Sequence, residues 1–377
     1  MSPEQSPIRV ERARLRVVEL PLVSPFTTSF GTQTVRRALL VEVEGDGVSG
    51  VGECAAGIEP GYSSETCAGA LIALRDHIIP SVLGGPAHDV SGHVRSWSWV
   101  RGHNMAKAAL EMALLDQAGR ASGRSMAEIL GGVRSRIHCG VSIGIQTSLA
   151  ATLAAVDGYL AEGYQRIKLK CKPGYDVELA RAVRQRFPGT PLMLDANSAY
   201  SLADISELRA LDEFDLLMIE QPLAHDDLID HAALQAQIET SICLDESIES
   251  LADLRAAIAL ASGRILNIKA GRVGGLLAAV QLHDACVGAG WPVWCGGMLE
   301  TGIGRAANLA LAALPGFTLP GDTSASDRYF EQDLLVEPFQ LAADGTMPVP
   351  TGSGLGVEVN QSRLEEITVH LEEVSRR

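Results

Sequence analysis

Hydrophobic and polar positions change rhythm along the chain. From about residue 8 to 55, IRVERARLRVV and RRALLVEVEGDGVSGVGE alternate or cluster β-branched residues around the turn-forming Gly45-Asp46-Gly47, which predicts a hairpin or meander of strands. Between about 63 and 130 the period lengthens: SSETCAGALIALRDHIIP and NMAKAALEMALLDQAG space apolar residues by three and four and are rich in Ala and Leu, so helices are expected.

From about Ile137 short apolar runs end in a polar or charged residue and are followed by Ala/Leu-rich helical stretches: IHCGVSI, QRIKLK, PLMLD, LLMIE, SICLD, RILNIK and PVWC. Lys170 to Asp195, Asp195 to Glu220 and Glu220 to Asp245 each span 25 positions, and Asp245 to Lys269 spans 24. One strand, one helix and two short loops fit that period, and such units repeated make a parallel sheet that closes into a barrel. A doubly wound open sheet competes, but no G-x-G-x-x-G follows the first strand. From about Phe330 a Gly/Pro-rich segment precedes the acidic, helix-like SRLEEITVHLEEVSRR.

Composition narrows the function. In 377 residues, 46% hydrophobic and 20% charged describe a folded globular chain. A formal charge of -15, from 46 acidic against 31 basic residues and no basic run, disfavours nucleic acid and anionic membrane as partners. The opening segment lacks the apolar core of a secretory signal and no stretch approaches a membrane span, so a cytoplasmic enzyme acting on a small molecule is expected. The seven cysteines are odd in number and form no C-x-x-C, which argues against a disulfide framework or structural zinc.

Three of the run ends are acids: Asp195, Glu220 and Asp245. Strand C-termini of a parallel barrel share one face, so these carboxylates should converge. Each alone reads as a strand end or helix cap; three in one register call for a cation, and an all-oxygen set selects a hard metal, magnesium rather than zinc. In RIKLKCK, Lys168 and Lys170 share one strand face, and the helices outside a barrel claim the aliphatic one, so the lysines point inward. Lys269 ends RILNIK on the far side. A neighbouring cation lowers a lysine pKa, Lys168 doing so for Lys170 and Arg272 for Lys269. Lysines flanking a metal suit removal of a proton beside a carboxylate and its return from the opposite face, with the metal stabilising the enediolate between.

These motifs, from TSFGTQ at residue 28 through KLKCKPGYD, LDANSAY, IEQPL, CLDES, NIKAGRVGG and CGGMLETGIGRA to LPGDTSASDRYF, resemble the enolase superfamily, muconate-lactonizing subgroup, in its branch of o-succinylbenzoate synthases and N-acylamino acid (N-succinylamino acid) racemases. Members of that superfamily use a Lys or His base together with Mg²⁺. The resemblance implies an α/β (β/α)7β barrel over 134–330, an N-terminal α+β capping domain over 1–133, and a C-terminal segment, 331–377, returning to the capping domain. It implies Asp195, Glu220 and Asp245 as Mg²⁺ ligands, with Mn²⁺ or another divalent cation able to substitute, Lys170 and Lys269 as the acid/base pair, and Lys168 in electrostatic support. Asn197 would lie near the bound carboxylate; Ser142, Gly297, Met298, Phe30 and Tyr62 would contact substrate. Glu246 is a tempting fourth ligand, but a strand neighbour of Asp245 points the other way. The lysine is followed by Ala270-Gly271, where the family leads us to expect a bulkier or proline-containing pair, which bears on the pocket's shape. A homo-oligomer, dimer or octamer, is also implied.

The implied activity is dehydration to o-succinylbenzoate in menaquinone synthesis, racemisation of N-succinyl or N-acyl amino acids, or both. Dipeptide epimerase and muconate cycloisomerase are alternatives within the superfamily; epimerases carry an acidic D-x-D near the last strand, whereas Asp322 is followed by Thr323 and Ser324. A histidine-aspartate dyad is disfavoured, because His283 and Asp284 sit in a helical stretch. An alternative of another class is a catalytically silent barrel scaffold.

Overall fold

The structure, a computed structural model, describes residues 7–29 and 31–375. Strands β1 (Arg12–Thr28), β2 (Gly31–Gly45) and β3 (Val48–Cys54) form an antiparallel sheet. The β2–β3 turn places Asp46 and Gly47 at φ 51° and 74°, the left-handed pair that a tight hairpin needs. Helix Asn104–Ser122 packs on β3 and is buried nearly all round, which is why its sequence is Ala- and Leu-rich on every side. Gly50 and Gly52 allow the approach: a Cβ on either would stand 2.1 Å from a backbone oxygen of that helix.

After the short β4 (Arg136–His138) come seven parallel strands: β5 (Gly140–Ile143), β6 (Arg166–Lys170), β7 (Leu192–Asp195), β8 (Met218–Glu220), β9 (Ile242–Leu244), β10 (Ile265–Ile268) and β11 (Val293–Cys295). They lie side by side in chain order. Helices connect them, several started by a side chain that accepts a backbone N–H: Ser148 from Ala151, Ser250 from Asp253 and Thr301 from Ile303. The ring is completed by Gly321–Asp322. The Asp322 N–H donates to Cys295 O at 2.9 Å and the Gly140 N–H to Gly321 O at 2.7 Å, so this two-residue bridge stands where an eighth strand belongs. The fold is a (β/α)7β barrel with a capping sheet.

Alternation along the strands sorts the side chains. Met193, Met218, Cys243, Ile265 and Trp294 fill the barrel interior as their own buried cluster, while Leu192, Leu194, Ile219, Leu244 and Leu266 face outward into the main core. Arg166 also points inward, into space that Gly140 leaves; a Cβ there would meet its guanidinium carbon at 2.5 Å.

The C-terminal segment returns. Strand β12 (Thr346–Pro348) pairs with β4, and β13 (Thr368–Val374) adds antiparallel to β1. The helix-like reading of SRLEEITVHLEEV is corrected here: helix Gln361–Glu366 stops, and the β-branched Thr368 and Val369 open an edge strand, because the exposed side of β1 supplies the partner. No helix among the described residues is long and apolar enough to cross a membrane.

Candidate active site

The interior positions nearest the strand C-termini carry charge. Asp195 and Glu220 are Cα partners in the β7–β8 pairing, as are Lys170 and Asp195 between β6 and β7. Asp195, Glu220 and Asp245 are at most 1% exposed, so each needs a partner. Lys168 Nζ lies 3.1 Å from Asp195, 3.0 Å from Glu220 and 2.6 Å from Asp322. Lys170 Nζ donates to Asp195 Oδ2 at 2.6 Å and to Asn197 Oδ1 at 2.7 Å. Across the row, Lys269 Nζ donates to Asp245 Oδ2 at 2.7 Å and to the Tyr62 hydroxyl at 3.2 Å, and lies 4.3 Å from the centre of the Tyr62 ring. Tyr62 itself donates to Asp245 Oδ1 at 2.9 Å, and Arg272 pairs with the same oxygen.

Charge state follows from these contacts. Burial raises the Glu220 carboxyl well above its ordinary value, and Asp195 adds to this, more than Lys168 offsets. Burial also acts against the Asp195 charge, but Lys170 and Lys168 outweigh it and hold the group low. For Lys269 burial favours the neutral amine, yet Asp245, Tyr62 and Glu220 together lift it above the ordinary lysine range. A lowered Lys269, expected from Arg272 alone, is therefore not what this arrangement produces: Arg272 is spent on Asp245, and that carboxylate holds the lysine charged.

Glu246 is a second correction. β9 ends at Leu244, so strict alternation no longer applies at Asp245 and Glu246, and Glu246 turns into the site: its Oε1 accepts from Asn197 Nδ2 at 2.9 Å while Oε2 is buried without a partner among the described residues. Burial, reinforced by Asp245 and Asp195, raises it to about 7. The backbone around these acids is unusual: Asn197, Ser198 and Gln221 have φ of 43°, 63° and 38°. Gln221 ties two strand ends together, its Oε1 accepting the Asp245 N–H at 2.9 Å.

Among the described residues no three acidic, histidine or cysteine side chains surround a common point as placed, because Lys168, Lys269 and Arg272 occupy the carboxylate oxygens. The donor chemistry nevertheless fits a hard divalent ion. Three buried carboxylates stand on adjacent strands, and the central one, Glu220, is forced toward its protonated form by burial, to which Asp195 and Asp245 add.

Above the lysines lies a cavity of about 570 Å³ between barrel and capping sheet. Lys168, Lys170, Lys269, Asn197 and Ser142 line it, and so do Gly297, Met298 and Tyr62; Phe30 lies outside the described residues. Sequence reasoning missed Arg166, which bridges to Asp322 at 2.8 Å, and Asn267, whose Nδ2 donates to Glu220 Oε1 at 2.6 Å. Both sit two residues before a lysine already placed inward, so the same alternation would have found them. Trp294 lies beneath, with the Lys168 ammonium 4.9 Å and the Arg166 guanidinium 5.1 Å from its ring centre.

Comparison with known proteins gives a consistent result. Residues 12–131 match the model of the mandelate racemase / muconate lactonizing enzyme N-terminal domain, and residues 149–363 match that of the enolase C-terminal domain-like family. An N-succinylamino acid racemase of an Amycolatopsis species is 51% identical over 96% of this chain and 98% of its own. An o-succinylbenzoate synthase of Geobacillus stearothermophilus is 49% identical over 96% of each. Among solved structures, an enolase-superfamily member from Listeria innocua superimposes with a TM-score of 0.94 at 40% identity, covering 98% of this chain and 100% of that one.

Proposed function

The chain belongs to the enolase superfamily, in the mandelate racemase / muconate lactonizing enzyme family, and from that premise we propose that it is a magnesium-dependent enzyme moving the proton α to a carboxylate. Two reactions fit one site: dehydration of a cyclohexadiene carboxylate to o-succinylbenzoate, a step of menaquinone synthesis, and racemisation of N-succinyl or N-acyl amino acids. Both substrates present a carboxylate, an acidic α-proton and a succinyl-like arm. The two close relatives carry these two names.

A single observation supports this reading most: two lysines, the partly buried Lys170 and the buried Lys269, flank one row of carboxylates from opposite sides and both open onto the same cavity. Asp195, Glu220 and Asp245 would hold the ion. Bound there, a divalent cation would supply the fixed positive charge that an enediolate needs. Racemisation in one direction needs Lys170 as the neutral amine to take the α-proton and Lys269 as the ammonium to return one on the opposite face, and the reverse direction exchanges these protonation states. For dehydration, Lys170 removes the proton and assists loss of hydroxide, while Lys269 remains a cation beside the developing negative charge. Lys168, held by three carboxylates, stays charged and keeps positive potential beside Lys170. Asn197 positions Lys170 through its side-chain oxygen. The epimerase alternative is weakened because Asp322, the acid at the last strand, is already engaged by Lys168 and Arg166.

The test is α-proton exchange of an N-succinylamino acid in D₂O with Mg²⁺, alongside dehydration of the cyclohexadiene substrate. Exchange that stops on chelation and returns with Mg²⁺ or Mn²⁺ is expected. No metal-dependent turnover of either substrate would favour the scaffold reading and end this one.

A further inference from the structure

The cavity has a second wall, from the capping sheet, and one buried cation in it is left mostly unpaired by the described residues. Arg36, on β2, is 2% exposed and lines the cavity. Its Nη1 makes one long hydrogen bond, to Ala56 O at 3.4 Å, while Nε and Nη2 are buried with no hydrogen-bond partner among the described residues. Those two nitrogens form one edge of the guanidinium, the fork that grips a carboxylate through two parallel bonds. Arg305, Arg328 and Arg363 each have only Nε both buried and unpaired among the described residues; at Arg36 the whole fork is.

Nearby acids do not fill it. Glu53 attracts Arg36 through space, but its oxygens accept from the Thr301 backbone and hydroxyl and from the Gly304 N–H. Glu65 accepts the Met105 and Ala106 N–H groups, and Glu19 is held by Arg37. Keeping an unmatched cation buried is unfavourable for the folded chain, so a ligand is the natural counterpart.

We infer that Arg36 anchors the distal carboxylate of the substrate's acyl arm, taking the second negative end of a dicarboxylate whose first end lies at the lysines. This rests on the proposed function, since it takes the substrate to carry a succinyl-like arm. Arg36 is thus a specificity residue: it selects succinyl over acetyl and takes no part in proton transfer.

Binding by calorimetry, with Mg²⁺ present, compares wild type and Arg36→Met on N-succinyl and N-acetyl derivatives of one amino acid. The variant is expected to bind the N-succinyl ligand about 10- to 100-fold more weakly, the range for a charged hydrogen-bonded pair. N-acetyl affinity should be unchanged, which also reports that the variant is folded, and the melting temperature should not fall. In turnover, KM for the succinyl substrate should rise with little change in kcat. Equal affinities of wild type and variant for the succinyl ligand would overturn the inference, and so would parallel losses on both ligands. A loss confined to N-acetylglutamate would also overturn it, by placing the anion on the side chain instead of the acyl arm. Wild type that binds the succinyl ligand without exchanging its α-proton would defeat the catalytic reading alone, and the binding difference would still decide the role of Arg36.

Discussion

The two lysine flanks of the site are built differently. Lys170 is held by Asp195 and Asn197, both from the end of β7, so its position is set within the barrel. Lys269 is held by Asp245 together with Tyr62, a residue of the capping region, and Arg272 braces the same carboxylate. One base is therefore positioned by the barrel alone, and the other is complete only when the capping region is seated on it. Damage to the contact between the two parts should fall on the Lys269 face.

The largest effect separates the flanks outright. Lys170→Ala and Lys269→Ala should each lower racemisation by ~10³-fold or more, as loss of a general acid/base does. Each variant should still exchange the α-proton of the one enantiomer that its remaining lysine faces, read by NMR in D₂O. Loss of exchange with both enantiomers in both variants would show that the flanks do not act independently.

Next is Asp322→Asn, which removes the counter-charge shared by Lys168 and Arg166. Breaking a buried pair costs about 3 to 5 kcal/mol, so a large drop in denaturation midpoint is expected. This site belongs to the Lys170 side, and a stable variant would mean that this flank is less preset than the contacts suggest.

The Lys269 side carries its own pH dependence. Glu111, on the long helix packed against β3, is fully buried and raised to about 7 by burial, partly offset by the Leu277 and Leu276 N–H groups that it accepts at the start of helix Leu276–Ala289. Because its folded value lies above the ordinary glutamate value of 4.5, the protonated form favours folding. That contribution is full below pH 4.5 and is lost as pH rises through about 7, a decline of about 3 kcal/mol. Thermal melts of Glu111→Gln against wild type should lack this decline, and amide exchange in residues 274–289 should show where it acts.

The smallest is Tyr62→Phe. It removes one hydroxyl from Lys269, Asp245 and Arg272 while keeping the ring, and should cost about tenfold in kcat/KM. Only the enantiomer processed by Lys269 should be affected in exchange. Equal effects on both would erase the contrast between the flanks.

Much of the barrel and the charged row was legible because both follow rules of period. Strand ends recurring every 24 or 25 residues locate Lys170, Asp195, Glu220, Asp245 and Lys269, and alternation within RIKLK sends Lys168 and Lys170 inward. What escaped lacks a period. Glu246 sits where the strand has stopped, so its direction depends on the loop and on Asn197. Asp322 belongs to a strand reduced to two bridging residues, with no apolar run to announce it. The terminal β13 depends on an edge that β1 leaves free, a tertiary circumstance that overrides a charge pattern suited to a helix. Arg36 reads as one more basic residue in a hairpin; its open fork is visible only once every neighbour's hydrogen bonds are assigned.

The bridge at Gly321–Asp322 makes mechanical closure and chemical potential one property. The residue whose N–H closes the ring onto Cys295 is also the residue whose carboxylate neutralises Arg166 and Lys168 at the ring's centre. A change that loosens this joint would not only open a seam between the first and last strands. It would also release two cations into the interior, and the electric field at the reacting carbon would shift although no residue touching that carbon had been altered.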